Sequence, residues 1–296
     1  MQDFKASLNL QRKTANAATV SPCANGGTRT DDPGTTAGNF KVTYVDCNES
    51  GTVLNGSISS TATTNGFTFT FDKFTSKATD NSEEEDFDGT MTLTGTEETC
   101  DTGSGTKAAA NKVETFLKNA VFTLNFTGTT KTDTNKDGTF EVNETVVFSN
   151  FAMTINEDHT KAPDCTPGVT TFGLSGGASL TDQVNTTDSF IATFTNFTMT
   201  FTPTTKTING VSKDGDSVSI SGTIVIQSSC ANGTFTLSTP AGHEPFFPTD
   251  ASCPVDGEII VSSGGTDTTV TFTATGGVQV GDKTFANCED ADTCAS

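Results

Sequence analysis

Apolar side chains recur every second residue over much of this chain. Phe67, Phe69 and Phe71 alternate with Thr, and the same step links Phe122, Leu124 and Phe126, then Val218 and Ile220, then Val270, Phe272 and Ala274. A two-residue period puts one set on one face of an extended strand and the intervening Thr, Ser and Asn on the other. Thr favours strands through its branched Cβ and Phe through the flat face it buries. The pattern predicts an all-β protein, either an antiparallel sandwich or an extended repeat sheet. In Phe194-Thr-Asn-Phe197-Thr-Met199-Thr-Phe201 the apolar step changes once from three to two, which predicts a β-bulge. One stretch departs from the rule. From Lys107 to Ala120, Val113, Phe116, Leu117 and Ala120 stand at i, i+3, i+4 and i+7, which predicts one short helix near 107–120.

The chain also repeats itself. Cys23 opens CANGGT and Cys230 opens CANGT, and each is followed by a second Cys, Cys47 and Cys253, and then by a Gly and an apolar pair. Leu54-Asn-Gly-Ser matches Leu174-Ser-Gly-Gly, and Phe71-Asp-Lys-Phe74 matches Phe148-Ser-Asn-Phe151 and Phe194-Thr-Asn-Phe197. Internally duplicated hairpins are the simplest account. The expected organisation is an N-terminal arm at 1–22, a main β-repeat body at 23–239, a hinge at 240–254 marked by four Pro, and a small C-terminal β unit at 255–296. Phe246 and Phe247 in the hinge either anchor a partner or cover the end of the sheet. The stretch Thr79 to Asp88, with Glu83-Glu84-Glu85-Asp86, reads as a solvated hairpin loop.

Composition narrows the setting. The chain has 296 residues with 16 basic and 36 acidic side chains, a net charge of −20. Such a surface repels phosphate backbones and anionic headgroups, so nucleic-acid binding is excluded and cations are the favoured partners. Eight Cys with no CxxC pair read as disulfides in an oxidising compartment: Cys23, Cys47, Cys100, Cys165, Cys230, Cys253, Cys288 and Cys294. The copied segments favour Cys23 with Cys47 and Cys230 with Cys253. No apolar run approaches the roughly 18 residues of a spanning helix, and one Tyr with no Trp leaves no aromatic girdle, so the chain is not expected to be transmembrane. An extracellular or cell-surface location follows, with the periplasm as a further option and any export signal already removed.

The strongest local signal is Asp133-Thr-Asn135-Lys-Asp137-Gly138-Thr139-Phe140-Glu141-Val-Asn-Glu144. It resembles the EF-hand calcium loop over all twelve positions, with oxygen side chains at 1, 3 and 5, Gly at 6 and Glu at 12. The resemblance implies Ca²⁺ held by Asp133, Asn135, Asp137, the Thr139 carbonyl and Glu144. Its flanks read as strands and not as helices, so Glu141 is an alternative to Glu144 as the closing ligand. The competing reading is a plain hairpin turn, for which Asn-Lys-Asp-Gly is good chemistry. Gly173-Leu-Ser175-Gly-Gly177 fits GxSxG, but the following residues continue as strand or loop where a nucleophile elbow needs a helix. His159 and His243 stand in polar loops beside carboxylates, as surface residues do. No catalytic residue is expected, and the chain is read as a non-enzyme.

In texture the chain resembles the Thr/Asn-rich, Cys-punctuated β-repeat proteins exported by Gram-negative bacteria, with CANG and LNGS as the quotable elements. The leading expectation is an extracellular structural protein, calcium-stabilised and disulfide-locked, that assembles into a fibre, layer or matrix. Phe4, Ala6, Leu8 and Leu10 alternate as a strand does and precede the first Cys, so self-association through this N-terminal strand is the expected partner contact. The alternative is a cell-surface adhesin or glycan-binding module.

Overall fold

The computed structural model describes residues 17–101, 113–157 and 168–288. The protein is all-β. Among the described residues the strands are β1 (Thr19–Pro22), β2 (Thr28–Asp32), β3 (Phe40–Glu49), β4 (Thr52–Thr63), β5 (Gly66–Ala78), β6 (Glu83–Asp101), β7 (Val113–Thr132), β8 (Val142–Glu157), β9 (Thr170–Asp182), β10 (Phe190–Ile208), β11 (Val211–Ser228), β12 (Asn232–Ser238), β13 (Phe246–Pro248), β14 (Glu258–Ser263), β15 (Thr266–Phe272), β16 (Val278–Val280) and β17 (Lys283–Phe285). The described residues fall into two compact units interleaved along the chain. The first takes 17–94, 122–151 and 177–190, and the second takes 95–101, 113–121, 152–157, 168–176 and 191–288. This division cuts across the body expected at 23–239.

In the first unit each strand pairs antiparallel with the next, β1 with β2, β2 with β3, and so on through β6. Register decides which residues share a face. Phe69 stands opposite Ser60 and Met91, and Ser60 opposite Phe40, so this row lies on one side of the sheet. Thr70 stands opposite Ser59 and Thr90 on the other. The apolar side forms a core of Cys23, Phe40, Val42, Tyr44, Cys47, Leu54 and Phe69, against which Phe71, Phe74 and Met91 pack. Phe87 stacks on Phe126 at 5.7 Å between ring centroids, and Phe71 meets Phe126 edge-on at 5.6 Å. On the polar side hydroxyls pair across strands, Thr68 with Thr92 at 3.0 Å and Thr129 with Thr145 at 3.2 Å. Such pairs satisfy both partners without burying a charge.

The Phe-x-x-Phe elements are bulges. The register of β4 with β5 shifts between Asn55 and Ser57, and that of β5 with β6 shifts between Phe71 and Phe74. Lys73, the residue before Phe74, takes φ 45°. One extra residue turns the two-residue step into three, so Phe71 and Phe74 stay on the same face. Tyr44-Val-Asp46-Cys47, Phe148-Ser-Asn150-Phe151 and Phe194-Thr-Asn196-Phe197 repeat the device, with φ 47° at Asp46, Asn150 and Asn196. The bulge expected in 194–201 is therefore present. Asn and Asp tolerate this left-handed conformation better than most residues, which accounts for their use here. Neighbouring strands serve the bulges: Asn55 Oδ1 accepts the Asp46 amide at 2.7 Å, and Asp88 Oδ1 accepts the Lys73 amide at 3.1 Å.

The same device corrects the expected helix. Residues 113–120 belong to β7, and 107–112 lie outside the described residues. Asn119 takes φ 51°, and Thr96 Oγ1 donates to the Lys118 carbonyl at 2.9 Å, tying this backbone to β6. A bulge inserts a step of three into a period of two, and that spacing mimics a helix over eight residues. The chain also passes between units within two residues of Asn119, Asn150 and Gly176, all at positive φ.

In the second unit β11 serves two partners. Ser221–Gln227 pair with β12, while Gly215–Ser217 pair with β13. The ladder then continues from β12 to β14, β15, β16 and β17. The Pro-rich stretch at 240–254, expected as a hinge, holds β13. Phe246 has no solvent exposure there and shares the interior with Val218, Val255 and Val278. Of the two readings of Phe246, covering the sheet is the one found. Cys23 pairs with Cys47 as expected, Cα to Cα 5.4 Å. Cys253 pairs with Cys288, Cα to Cα 5.9 Å, and not with Cys230, which is itself disulfide-bonded. Cys230 follows the β12 end of β11, whereas β13 and its return to Val255 lie at the other end. About ten residues of extended strand, on the order of 30 Å, separate the two ends, far beyond what a disulfide spans. Cys100 lies in β6, and Cys165 and Cys294 lie outside the described residues.

Candidate functional site

The loop 133–141 joins β7 to β8, and its shape follows from its side chains. The Glu141 amide donates to the Thr132 carbonyl at 2.9 Å and closes the loop at its base. Asp133 is 4% exposed, and each of its carboxylate oxygens has a partner: Oδ1 accepts the Asp137 amide at 3.2 Å and Oδ2 the Gly138 amide at 2.8 Å. Asn135 Oδ1 accepts the Asp137 amide at 3.0 Å, and Asp137 Oδ1 accepts the Thr139 amide at 2.8 Å. Each is a short polar side chain binding the backbone two residues on. Gly138 takes φ 89° with open space around it, so glycine is required there by backbone conformation and not by crowding.

Side-chain-to-backbone bonds thus link Asp133, Asn135, Asp137 and Thr139 within one turn of chain. Of the two closing carboxylates, Glu141 is the one folded onto the loop, its Oε2 accepting the Thr134 amide at 2.7 Å. Glu144 lies within β8, next to Thr145 with its hydroxyl on Thr129. The donor set of carboxylate, amide and carbonyl oxygens, without nitrogen or sulfur, suits a hard cation such as Ca²⁺. A carboxylate offers about four lone-pair sites, so the amide bonds leave capacity for one. Among the described residues, the group of three acidic, Cys or His ligand atoms within 4.8 Å of one another is that of Cys23, Cys47 and Glu49, whose sulfurs form the disulfide; Asp133, Asp137 and Glu141 do not approach one another so closely.

Two elements frame the loop within the first unit. The Asp133 amide donates to the Ser82 carbonyl at 2.8 Å, docking the loop on the β5–β6 turn. The Gln183 amide donates to the Asn143 carbonyl at 2.9 Å, docking the β9–β10 loop beside it. That loop is organised by Asp182, 8% exposed, which accepts the Val184 and Asn185 amides at 2.7 and 2.9 Å. Sequence reasoning missed Asp182; the only signal is an Asp three residues before Asn185 and the polar run 185–189. It also placed Glu83–Asp88 in a loop, whereas these residues open β6 and Glu84 stands opposite Lys77. Lys131 and Lys77 bind Glu84 at 2.9 and 3.3 Å. The Lys131 ammonium, opposed by some burial and aided by Lys77, lowers the Glu84 pKa. Asp80 is held far below the usual carboxylate range by Lys136 and then by Ser82.

The remaining candidates are quiet. Gly173–Gly177 lie within β9, where a side chain at 173 would strike Thr154, so no strand-turn-helix elbow exists. His243 is exposed, 3.6 Å from Glu258, and His159 lies outside the described residues. No helix of the described residues is long and apolar enough to cross a membrane. Comparison with known protein families, with characterised proteins and with solved structures finds no match.

Proposed function

We propose that this protein is an exported, non-enzymatic structural protein, locked by disulfides and stabilised by Ca²⁺ at Asp133, Asn135, Asp137, Thr139 and Glu141, that assembles by strand addition through its N-terminal segment. The observation that carries the reading is β1. It is four residues long, it opens the ladder by pairing with β2, and its Val20 is 66% exposed. Pro22 marks β1 as an edge strand, and the candidate donor segment is the sequence before it, residues 1–16, where Phe4, Ala6, Leu8 and Leu10 alternate and which lies outside the described residues. Disulfides in both units fit an oxidising compartment outside the cytosol.

Negative-stain microscopy of the native material, with and without residues 1–16, tests it. Polymers from the full chain and particles from the truncated one are expected. Polymers from both would reject the arm. Calorimetric titration with Ca²⁺ tests the loop separately.

A second reading, a glycan-binding surface module, draws on Ser219, Ser221, Thr234, Thr236 and Ser238. They are exposed on β11 and β12 and make an uncharged hydroxyl face in a strongly acidic chain. A glycan array with and without EDTA separates the two.

A further inference from the structure

Two lysines stand at the calcium loop, and each is held by an acid from the β5–β6 hairpin. Lys136 is the loop's fourth residue, and its ammonium lies 2.5 Å from Asp80 Oδ2. Lys131, just before the loop, lies 2.9 Å from Glu84 Oε1 and 5.9 Å from the centre of the Phe140 ring. Nothing in the duplicated strand pattern requires acids at positions 80 and 84, and an ammonium free to swing within reach of Asp133, Asp137 and Glu141 would compete with a divalent ion for the same oxygens. The Asp133–Ser82 backbone bond fixes the hairpin against the loop, so the two acids are placed to capture the two cations.

We infer, resting on the calcium reading above, that Asp80 is a positioning residue that holds the Lys136 ammonium off the Asp133–Glu141 loop and thereby sets its Ca²⁺ affinity. Glu84 does the same for Lys131. Asp80 and Glu84 together guard the site. Lys136 and Asp80 are both about half exposed, so neither belongs to the core.

Calorimetric titration of the full chain with CaCl₂ at low ionic strength tests this with Asp80→Asn, Lys136→Met and the double variant. Circular dichroism melts confirm that each is folded. Asp80→Asn is expected to weaken binding about fivefold, Lys136→Met to leave it within about twofold, and the double variant to recover to within about twofold of the parent. No Ca²⁺ heat from the parent chain overturns the calcium reading itself. If the parent binds but Asp80→Asn binds equally well, or the double variant keeps the full loss, the positioning role is overturned, because Asp80 then acts through its own charge or not at all.

Discussion

Gly56 of β4 lies directly against the carbonyl of Lys73, the left-handed residue of the β5 bulge, and a Cβ at position 56 would overlap that carbonyl. Gly56 itself takes φ 87°. Close approach and backbone conformation therefore both demand glycine. Gly56→Ala is expected to cost more than about 2 kcal/mol of unfolding free energy, because the bulge must shift in addition to the strain of φ. Gly242→Ala, also at positive φ but in open space, should cost about 1 kcal/mol. Urea denaturation of both variants measures the difference, and equal losses would deny the steric contact.

Lys73 is the one lysine among bulge residues that are otherwise Asp or Asn. Lys73→Asn is expected to be neutral or to stabilise by about 0.5 kcal/mol, and Lys73→Val to destabilise by about 1–2 kcal/mol, since a β-branched side chain resists the left-handed region. Thermal melts of the two variants give the sign.

The disulfide pattern predicts the products of non-reducing peptide mapping. Linked peptides containing Cys23 with Cys47 and Cys253 with Cys288 are expected. Each closes a loop of 24 or 35 residues, so replacing either pair by Ala should cost about 3 kcal/mol. A Cys230–Cys253 peptide would contradict the forked pairing of β11.

Acid should loosen the hairpin beside the loop. Asp80 and Glu84 have pKa values lowered by their lysine partners, so the folded state binds fewer protons than the unfolded one. The stability they contribute is complete above the unfolded value of about 4 and is lost as pH falls below it. Melting temperature should therefore fall below about pH 4 more steeply in the parent than in the Asp80→Asn, Glu84→Gln double variant. Parallel profiles would show that the pairs do not contribute.

Phe246→Ala should be the most damaging single truncation in the second unit. Its ring has no exposure and carries the Lys206 ammonium 5.6 Å from its centre. A loss of about 3–5 kcal/mol is expected from calorimetric unfolding, whereas Phe67→Ala, at a ring 37% exposed, should cost less than half as much.

Much of this fold is legible in the sequence because strand period and side-chain chemistry are local. Phe67, Phe69 and Phe71 announce a face. The step from Phe194 to Phe197 announces a bulge, and Asp133 to Glu144 announces a wound loop, which the structure ends at Glu141. The step across Asn119 was ambiguous for a physical reason, since a bulged strand and a helix share the same short spacing. The Cys253–Cys288 pair and the interior place of Phe246 depend on β11 changing partners along its length, which no local pattern encodes. The guard role of the acidic hairpin is equally hidden, because Asp80 and Lys136 are 56 residues apart.

A bulge residue also stands outside the parity of its strand. Deleting Lys73 would restore an unbroken alternation through β5, and Phe74, then two residues after Phe71, would keep the side that Phe67, Phe69 and Phe71 occupy. A missing codon at a bulge thus leaves the faces intact, whereas one elsewhere in a strand turns the rest of that strand over, so duplicated hairpins of this kind can change length at their turns and bulges far more freely than within their regular rungs.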